Sequence, residues 1–318
     1  MLPLAELFQF LFPLSVPVGS RRVIVIYGAY YDESEVGTSF SLAGFSAAYD
    51  TWVHLDWAWA DLLKKWKLEY FKASECENLL EQFAQYRDNP EDQKSPLKPN
   101  ERARMKQIKT DFIDAICKHR DDLQGYGAVV IMKDFERIIS ESSEALRVFS
   151  DKPYYICFQL CMLAAAYPAR EDNQRRPYSD RIRIKPIFDS HKEYSKQAKE
   201  LFDGFVSKNP KSAEVLLPPD YEDDVETSAL QVADSLAYEA RKCLARQIHD
   251  PEDGYVRPPL VRLLPSVYRM YKLDHAALEL IIKRQKPDSI PLLDVKIDDL
   301  VVGWRDDEEE QETPRGNA

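Results

Sequence analysis

The sequence predicts an α/β domain built on a mixed β-sheet with helices packed against it. Three observations carry that prediction. Runs dense in β-branched and aromatic residues, such as "RRVIVIYGAYYD", alternate along the chain with segments of helical apolar spacing. The first two such runs are close enough to pair as a hairpin, whereas the later ones are separated by helices. At 318 residues, 44% of them hydrophobic, the chain can bury a substantial core.

From Arg22 the text reads as strand, followed by the acids Asp32, Glu33 and Glu35. "TSFSLAGFSA", with apolar Phe40 and Leu42, reads as the hairpin partner. In "AAYDTWVHLDWAWADLLKKWK" the residues Trp52, Leu55, Trp59, Leu62, Leu63 and Trp66 recur at helical spacing. Tryptophans on one helix face read as core anchors rather than as a platform for stacking bases. "AQYRDNPEDQKSPLKPNE" is polar, carries Pro90, Pro96 and Pro99, and reads as a flexible excursion. A helix follows to about His119, on Met105, Ile108, Phe112 and Ile116, and "GYGAVVIM" is the next strand. A helix from about Pro153 to Ala166 leads to the polar break "PAREDNQRRPYSD".

"RIRIKPIFDSH" is a strand that runs into Asp189, and "KEYSKQAKELFDGFV" an amphipathic helix. "AEVLLPP" is a candidate for the last strand, ahead of the acidic loop "DYEDDVE". "TSALQVADSLAYEARKCLARQ" is a helix opened by Ser or Thr. The C-terminal region adds a Pro-rich loop from Pro251 to Pro259, a helix near Leu273 to Arg284 and an acidic tail. The expected organisation is an apolar arm over 1–20, a main domain over 21–248 with an insertion around 84–100, a C-terminal helical extension over 249–304, and a disordered tail over 305–318. Neither an internal repeat nor a Gly-rich phosphate loop is evident.

The net charge of −11 argues against a general nucleic-acid coat, which needs many Lys and Arg to displace counterions. Six acids against Arg305 and Arg315 in the segment from Arg305 to Ala318 contribute −4, leaving about −7 elsewhere, and a small phosphate-contacting groove is still permitted. The cysteines Cys76, Cys117, Cys157, Cys161 and Cys243 are odd in number and form no Cys-x-x-Cys pair. They read as buried thiols, which fits a cytoplasmic location. The start, "MLPLAELFQFLFPLSVPVGSRR", lacks a basic leader region, contains Glu6 and is broken by Pro3, Pro13 and Pro17. It is too interrupted to span a membrane, so an arm packed on the body, or an extension upstream of the true start, is expected.

The chemistry lies in carboxylates. Asp32 is expected at or just past the end of the first strand, and Asp189 stands in the same relation to Ile184, Ile187 and Phe188. Neighbouring strands would present both at one sheet edge, where open α/β sheets bind ligands. On the late helix, Leu230, Ala233, Leu236, Ala237 and Ala240 form the stripe expected to face the sheet. Gln231, Asp234, Tyr238 and Arg241 form a second stripe, with Asp234 near the buried boundary. Three converging carboxylates need a cation, and an oxygen-rich cluster suits Mg²⁺ or Mn²⁺. Taken singly, each acid reads as a cap, a turn or a salt bridge.

The pieces "YYDES", "LEYFKAS", "IFDS" and "LQVADSLAYEARK" resemble, in order, the domain-of-unknown-function 3800 family, over about Val23 to Lys242. The resemblance implies a ribonuclease-H-like fold and a site built from Asp32 on the first strand, Asp189 on the fourth and Asp234 on a late helix. Glu33 matches the family's second acid, although next to Asp32 on a strand it should point the opposite way unless the chain bends. Lys72 falls where the family carries Lys or His, to meet a phosphate or the metal shell. Glu69 and Glu75 flank it; either could face the site, and Lys72 could simply pair with one of them.

The expected function is therefore a Mg²⁺- or Mn²⁺-dependent nuclease acting on RNA or DNA, with Asp32, Asp189 and Asp234 as metal ligands and Glu33 and Lys72 in the catalytic group. Lys72, Gln231 and Arg241 would contact substrate. The alternative is a non-catalytic scaffold that keeps the fold while its acids serve stability. Phosphoryl transfer to nucleotides is disfavoured by the missing Gly-rich loop.

Overall fold

Val25–Val36 forms strand β1 and Ser39–Ala48 forms β2, joined by the two-residue turn Gly37 and Thr38. The computed structural model describes residues 25–176, 181–190, 194–208, 210–250 and 255–284. The apolar arm and the acidic tail expected at the two ends lie outside these residues. The hairpin is long and in register from Tyr27 opposite Ala48 to Val36 opposite Ser39. Gly44 is required within it, because a Cβ there would run into the Tyr30 carbonyl oxygen of the facing strand.

Gln124–Ile131 (β3) continues the antiparallel meander on the far side of β2. Ile182–Asp189 (β4) and Asp220–Glu222 (β5) add in parallel beside β1, and Val267–Leu273 (β6) adds in parallel beside β3. The resulting six-stranded mixed sheet has the order β5-β4-β1-β2-β3-β6.

Helices cover both faces. On one side lie α1 (Tyr49–Trp66), α2 (Ala73–Asn78), α3 (Pro99–Cys117), α9 (Ser228–His249) and α10 (Pro258–Leu263). On the other lie α4 (Met132–Glu141), α5 (Ser143–Phe149), α6 (Pro153–Arg175), α7 (Ser195–Lys208), α8 (Pro210–Ala213) and α11 (His275–Arg284). Among the described residues no helix is long and apolar enough to cross a membrane.

The expected tryptophan face of α1 is present: Trp52, Leu55 and Trp59 are buried, and Trp59 packs edge-on against Phe71 and Phe112. Cys76, Cys157, Cys161 and Cys243 are buried free thiols, and Cys117 is partly exposed.

Several boundaries differ from expectation, each for a local reason. The polar stretch 84–101 is pinned rather than flexible, because the buried Arg87 guanidinium donates to the carbonyls of Asn78, Leu79, Asp92, Gln93 and Ser95. Helix α6 runs through Pro168 to Arg175 instead of stopping at Ala166, and Asn173 in its last turns exchanges two hydrogen bonds with the Ile182 backbone (2.9 and 2.6 Å). The last strand beside β4 falls in the acidic loop, at Asp220–Glu222, while Leu216 contributes only an isolated bridge to Ile184. The C-terminal region is not purely helical, since β6 joins the main sheet.

Candidate functional site

Strands β1 and β4 are parallel neighbours whose paired register ends at Tyr31 opposite Phe188. The next residues on the two strands are Asp32 and Asp189. Asp32 is not at the end of β1, as the sequence suggested; the hairpin carries β1 four residues further, past the point where β4 stops. The carboxylates collect where β1 runs past the end of β4.

Ala29 and Tyr31 pack into the core on the α6 side, so alternation turns Asp32 to the α9 side. It is buried, and its carboxylate accepts the Glu33 N–H at 2.8 Å. Glu33 should point away by the same alternation. Nonetheless carboxylate oxygens of Asp32, Glu33 and Asp189 all lie within 4.8 Å of one another, an arrangement able to hold a metal ion. Among the described residues no strand pairs with β1 on this side past Asp32, so a long side chain from the α6 face can reach round the end of β4. Glu35, two residues on, is exposed.

Asp234 stands beside this group rather than within it. It is buried on α9, and its carboxylate accepts the Ala73 N–H at 2.5 Å, which ties the first turn of α2 to α9. Lys72, the residue before α2, pairs with Asp224 at 2.7 Å, not with Glu69 or Glu75. Glu69 is exposed, whereas Glu75 is half-buried and receives the Tyr70 hydroxyl at 3.2 Å. Asp224, in the acidic loop before α9, was not singled out from the sequence.

Gln231, expected at the substrate, makes its hydrogen bonds within the protein. Its side-chain oxygen accepts Trp59 Nε1–H and Phe71 N–H (both 2.9 Å), and its amide nitrogen donates to the carbonyls of Asp224 and Val225 (2.9 and 3.2 Å). It therefore clamps α1, the approach to Lys72 and the Asp224 loop together. Arg241 is also buried; its Nε donates to Ser34 Oγ at 2.8 Å and its guanidinium lies over the Tyr238 ring. The two expected stripes of α9 are both buried, because the helix lies across β1 and β2 and is itself covered by α1, α2 and α10.

Electrostatics mark the cluster as short of positive charge. Burial, then the charges of Asp234, Glu33 and Asp189, raise Asp32 well above the usual carboxylate range. Burial and Asp189 push Glu33 up to about 8. Burial raises Asp234 to about 6 even though the Ala73 N–H and Lys72 oppose it. Asp189 is raised by burial and by Asp224, against hydrogen bonds from the Ser190 and Asp224 backbone. Burial alone would lower the Lys72 ammonium, but its bond to Asp224 and the charges of Asp224, Asp32 and Asp234 hold it above its ordinary value. On the α6 side the Tyr154 hydroxyl is buried with no hydrogen-bond partner among the described residues, within the field of Glu33. Nothing in "KPYYICF" marks that tyrosine as different from a core aromatic.

A second charged cluster, also missed from the sequence, lies further along α9. Lys109 bonds Glu77 and, at 2.5 Å, Glu239, and Arg257 bonds the same two acids at 2.9 and 2.7 Å. Glu239 is fully buried, and an acid flanked by Tyr238 and Ala240 in a helix buried all round is the one signal that could have shown it.

The chain matches no protein-family model, no curated protein and no solved structure.

Proposed function

We propose that this chain is a divalent-metal-dependent nuclease of ribonuclease-H-like type, hydrolysing nucleic-acid phosphodiesters at the Asp32, Glu33 and Asp189 cluster. One observation carries the reading: three carboxylates from two adjacent parallel strands converge within 4.8 Å where β1 runs past the end of β4. The donor set is hard oxygen, fitting Mg²⁺ or Mn²⁺. The nearby ammonium, Lys72, is bonded to Asp224 and offsets the mutual repulsion of the three acids only in part, since all three stay raised. Further support comes from the resemblance of "YYDES", "IFDS" and "LQVADSLAYEARK" to the domain-of-unknown-function 3800 family, whose implied acids would fall on β1, β4 and α9.

A divalent ion bound there supplies water activation and stabilisation of the leaving oxygen. The protein's residues supply the rest. Asp32, Glu33 and Asp189 hold the ion, and Asp234 adds charge behind Asp32 while anchoring α2 through the Ala73 N–H. Lys72 sets an ammonium at the rim for a phosphate oxygen, and Gln231 fixes the two segments that carry Lys72 and Asp224. Arg241 holds the overhanging end of β1 through Ser34 instead of contacting substrate.

The test is a Mn²⁺-dependent cleavage panel on labelled single-stranded, duplex and hybrid substrates. Asp32→Asn and Asp234→Asn are expected to abolish cleavage while keeping the wild-type circular dichroism and a cooperative melt. Full activity in both variants would overturn the reading. A non-catalytic scaffold is favoured by one observation: Lys72 and Gln231 direct their hydrogen bonds inward. A calorimetric Mn²⁺ titration with no site-dependent heat would select it.

A further inference from the structure

A groove of about 700 Å³ opens among α3, α9 and the segment that leads into α10. Among the described residues its lining includes Lys106, Lys109, Lys242, Arg246, Arg257 and Arg262, against the single acid Glu77. In a chain of net charge −11, this is a local reversal of sign. Part of the positive charge is committed: Lys109 and Arg257 to Glu77 and Glu239, and Arg262 to Asp114. Lys106 and Lys242 form no ion pair among the described residues.

Lys242 is half-buried and its ammonium lies 5.6 Å from the Tyr238 ring centroid. Burial lowers its pKa, and the charges of Arg257, Arg241 and Lys109 together oppose the pull of Glu77. An anion in the groove would relieve that excess. Arg246, one turn further along α9, lies over the Tyr255 ring at 4.0 Å, and Tyr255 is 43% exposed. The i,i+4 spacing puts Lys242 and Arg246 on one side of the helix.

Lysines beside an exposed guanidinium–aromatic stack match a phosphodiester strand: phosphates take the ammonium groups, and an unpaired base takes the ring. We propose that this groove binds the backbone of a single-stranded nucleic acid, with Lys106, Lys242 and Arg246 on phosphates and Tyr255 under a base. The link to catalysis rests on the nuclease reading. Lys242 and Arg246 lie about 12 and 18 Å along α9 from Asp234, so a strand held in the groove is held on the helix that also borders the carboxylates.

The experiment is fluorescence anisotropy of a labelled single-stranded oligonucleotide with the full chain in EDTA, so that binding is read without cleavage. The variant with Lys106→Gln, Lys242→Gln and Arg246→Gln is expected to bind about tenfold or more weakly and to lower the log–log salt slope by about two. Tyr255→Ala is expected to weaken binding about tenfold with the slope unchanged. If the triple variant does not fold, Lys242→Gln alone is expected to lower the slope by about 0.7. Unchanged affinity and slope in a folded variant would overturn the proposal, as would a duplex binding as tightly as the single strand, or displacement by polyglutamate at equal charge. Mn²⁺ cleavage by wild type and triple variant with the same KM would sink the groove and leave the nuclease reading standing. Wild-type binding that the triple variant loses, with no cleavage by either, would do the reverse.

Discussion

Asp32 and Glu77 show how the same side-chain chemistry is set in opposite directions by its neighbours. Asp32 is buried among acids, so ionising it costs free energy that Lys72 offsets only in part and a bound cation would offset further. In EDTA at neutral pH, Asp32→Asn is therefore expected to melt a few degrees above wild type, and added Mn²⁺ should raise the wild type but not the variant. Scanning calorimetry reads both, and a variant that melts lower in EDTA would count against the repulsion. Glu77 has the reverse setting. Burial opposes its charge, but Lys109 and Arg257 outweigh it and bring its pKa down to about 2. A depressed folded pKa gives stability that is present above the unfolded value near 4.5 and lost as pH falls through 2. On the order of 3 kcal/mol should disappear across that window in denaturant titrations of wild type, and Glu77→Gln should flatten the decline. An equal decline in both proteins would remove Glu77 as its source.

At the scale of elements, α9 does most to assemble the site. It carries Asp234 for α2, Gln231 for α1 and the Asp224 loop, and Glu239 for α3 and the segment before α10. Periodicity alone divides such a helix into an apolar stripe and a polar one, because it cannot foresee a second layer of helices over the polar side. That is why Gln231 and Arg241 read as substrate contacts when their partners are inside the protein. Gln231→Ala leaves an indole N–H, a backbone N–H and two carbonyls without their partner, and should cost about 2–4 kcal/mol in denaturant unfolding. A cost below about 0.5 kcal/mol would mean that the clamp is dispensable. The overhang of β1 past β4 is the other decisive element, since it lets Glu33 join a group that strand alternation would exclude it from.

Over the whole molecule, the mixed sheet and its first four strands were legible in the sequence, because "VIVIYGAYYD", "SFSLAGFSA", "GYGAVVI" and "RIRIKPIFD" carry dense strand-forming residues between clear helical segments. Asp32 and Asp189 were legible for a related reason, as acids that close such runs. Asp224 was hidden among the other acids of "DYEDDVE", and its pairing with Lys72 joins residues 152 positions apart. The basic groove was hidden in the same way, being assembled from α3, α9 and the approach to α10. Edge strands β5 and β6 were missed because three residues, or an irregular run such as "VYRMYKL", hold too little alternation to be seen without their partner strands.

The central claim is that Asp32, Glu33 and Asp189 form a divalent-metal centre, and calorimetric titration of Mn²⁺ into wild type and Asp189→Asn tests it most directly. Saturable heat in the wild type, lost in the folded variant, is the predicted result. Equal heats in the two proteins, or none in either, would contradict it.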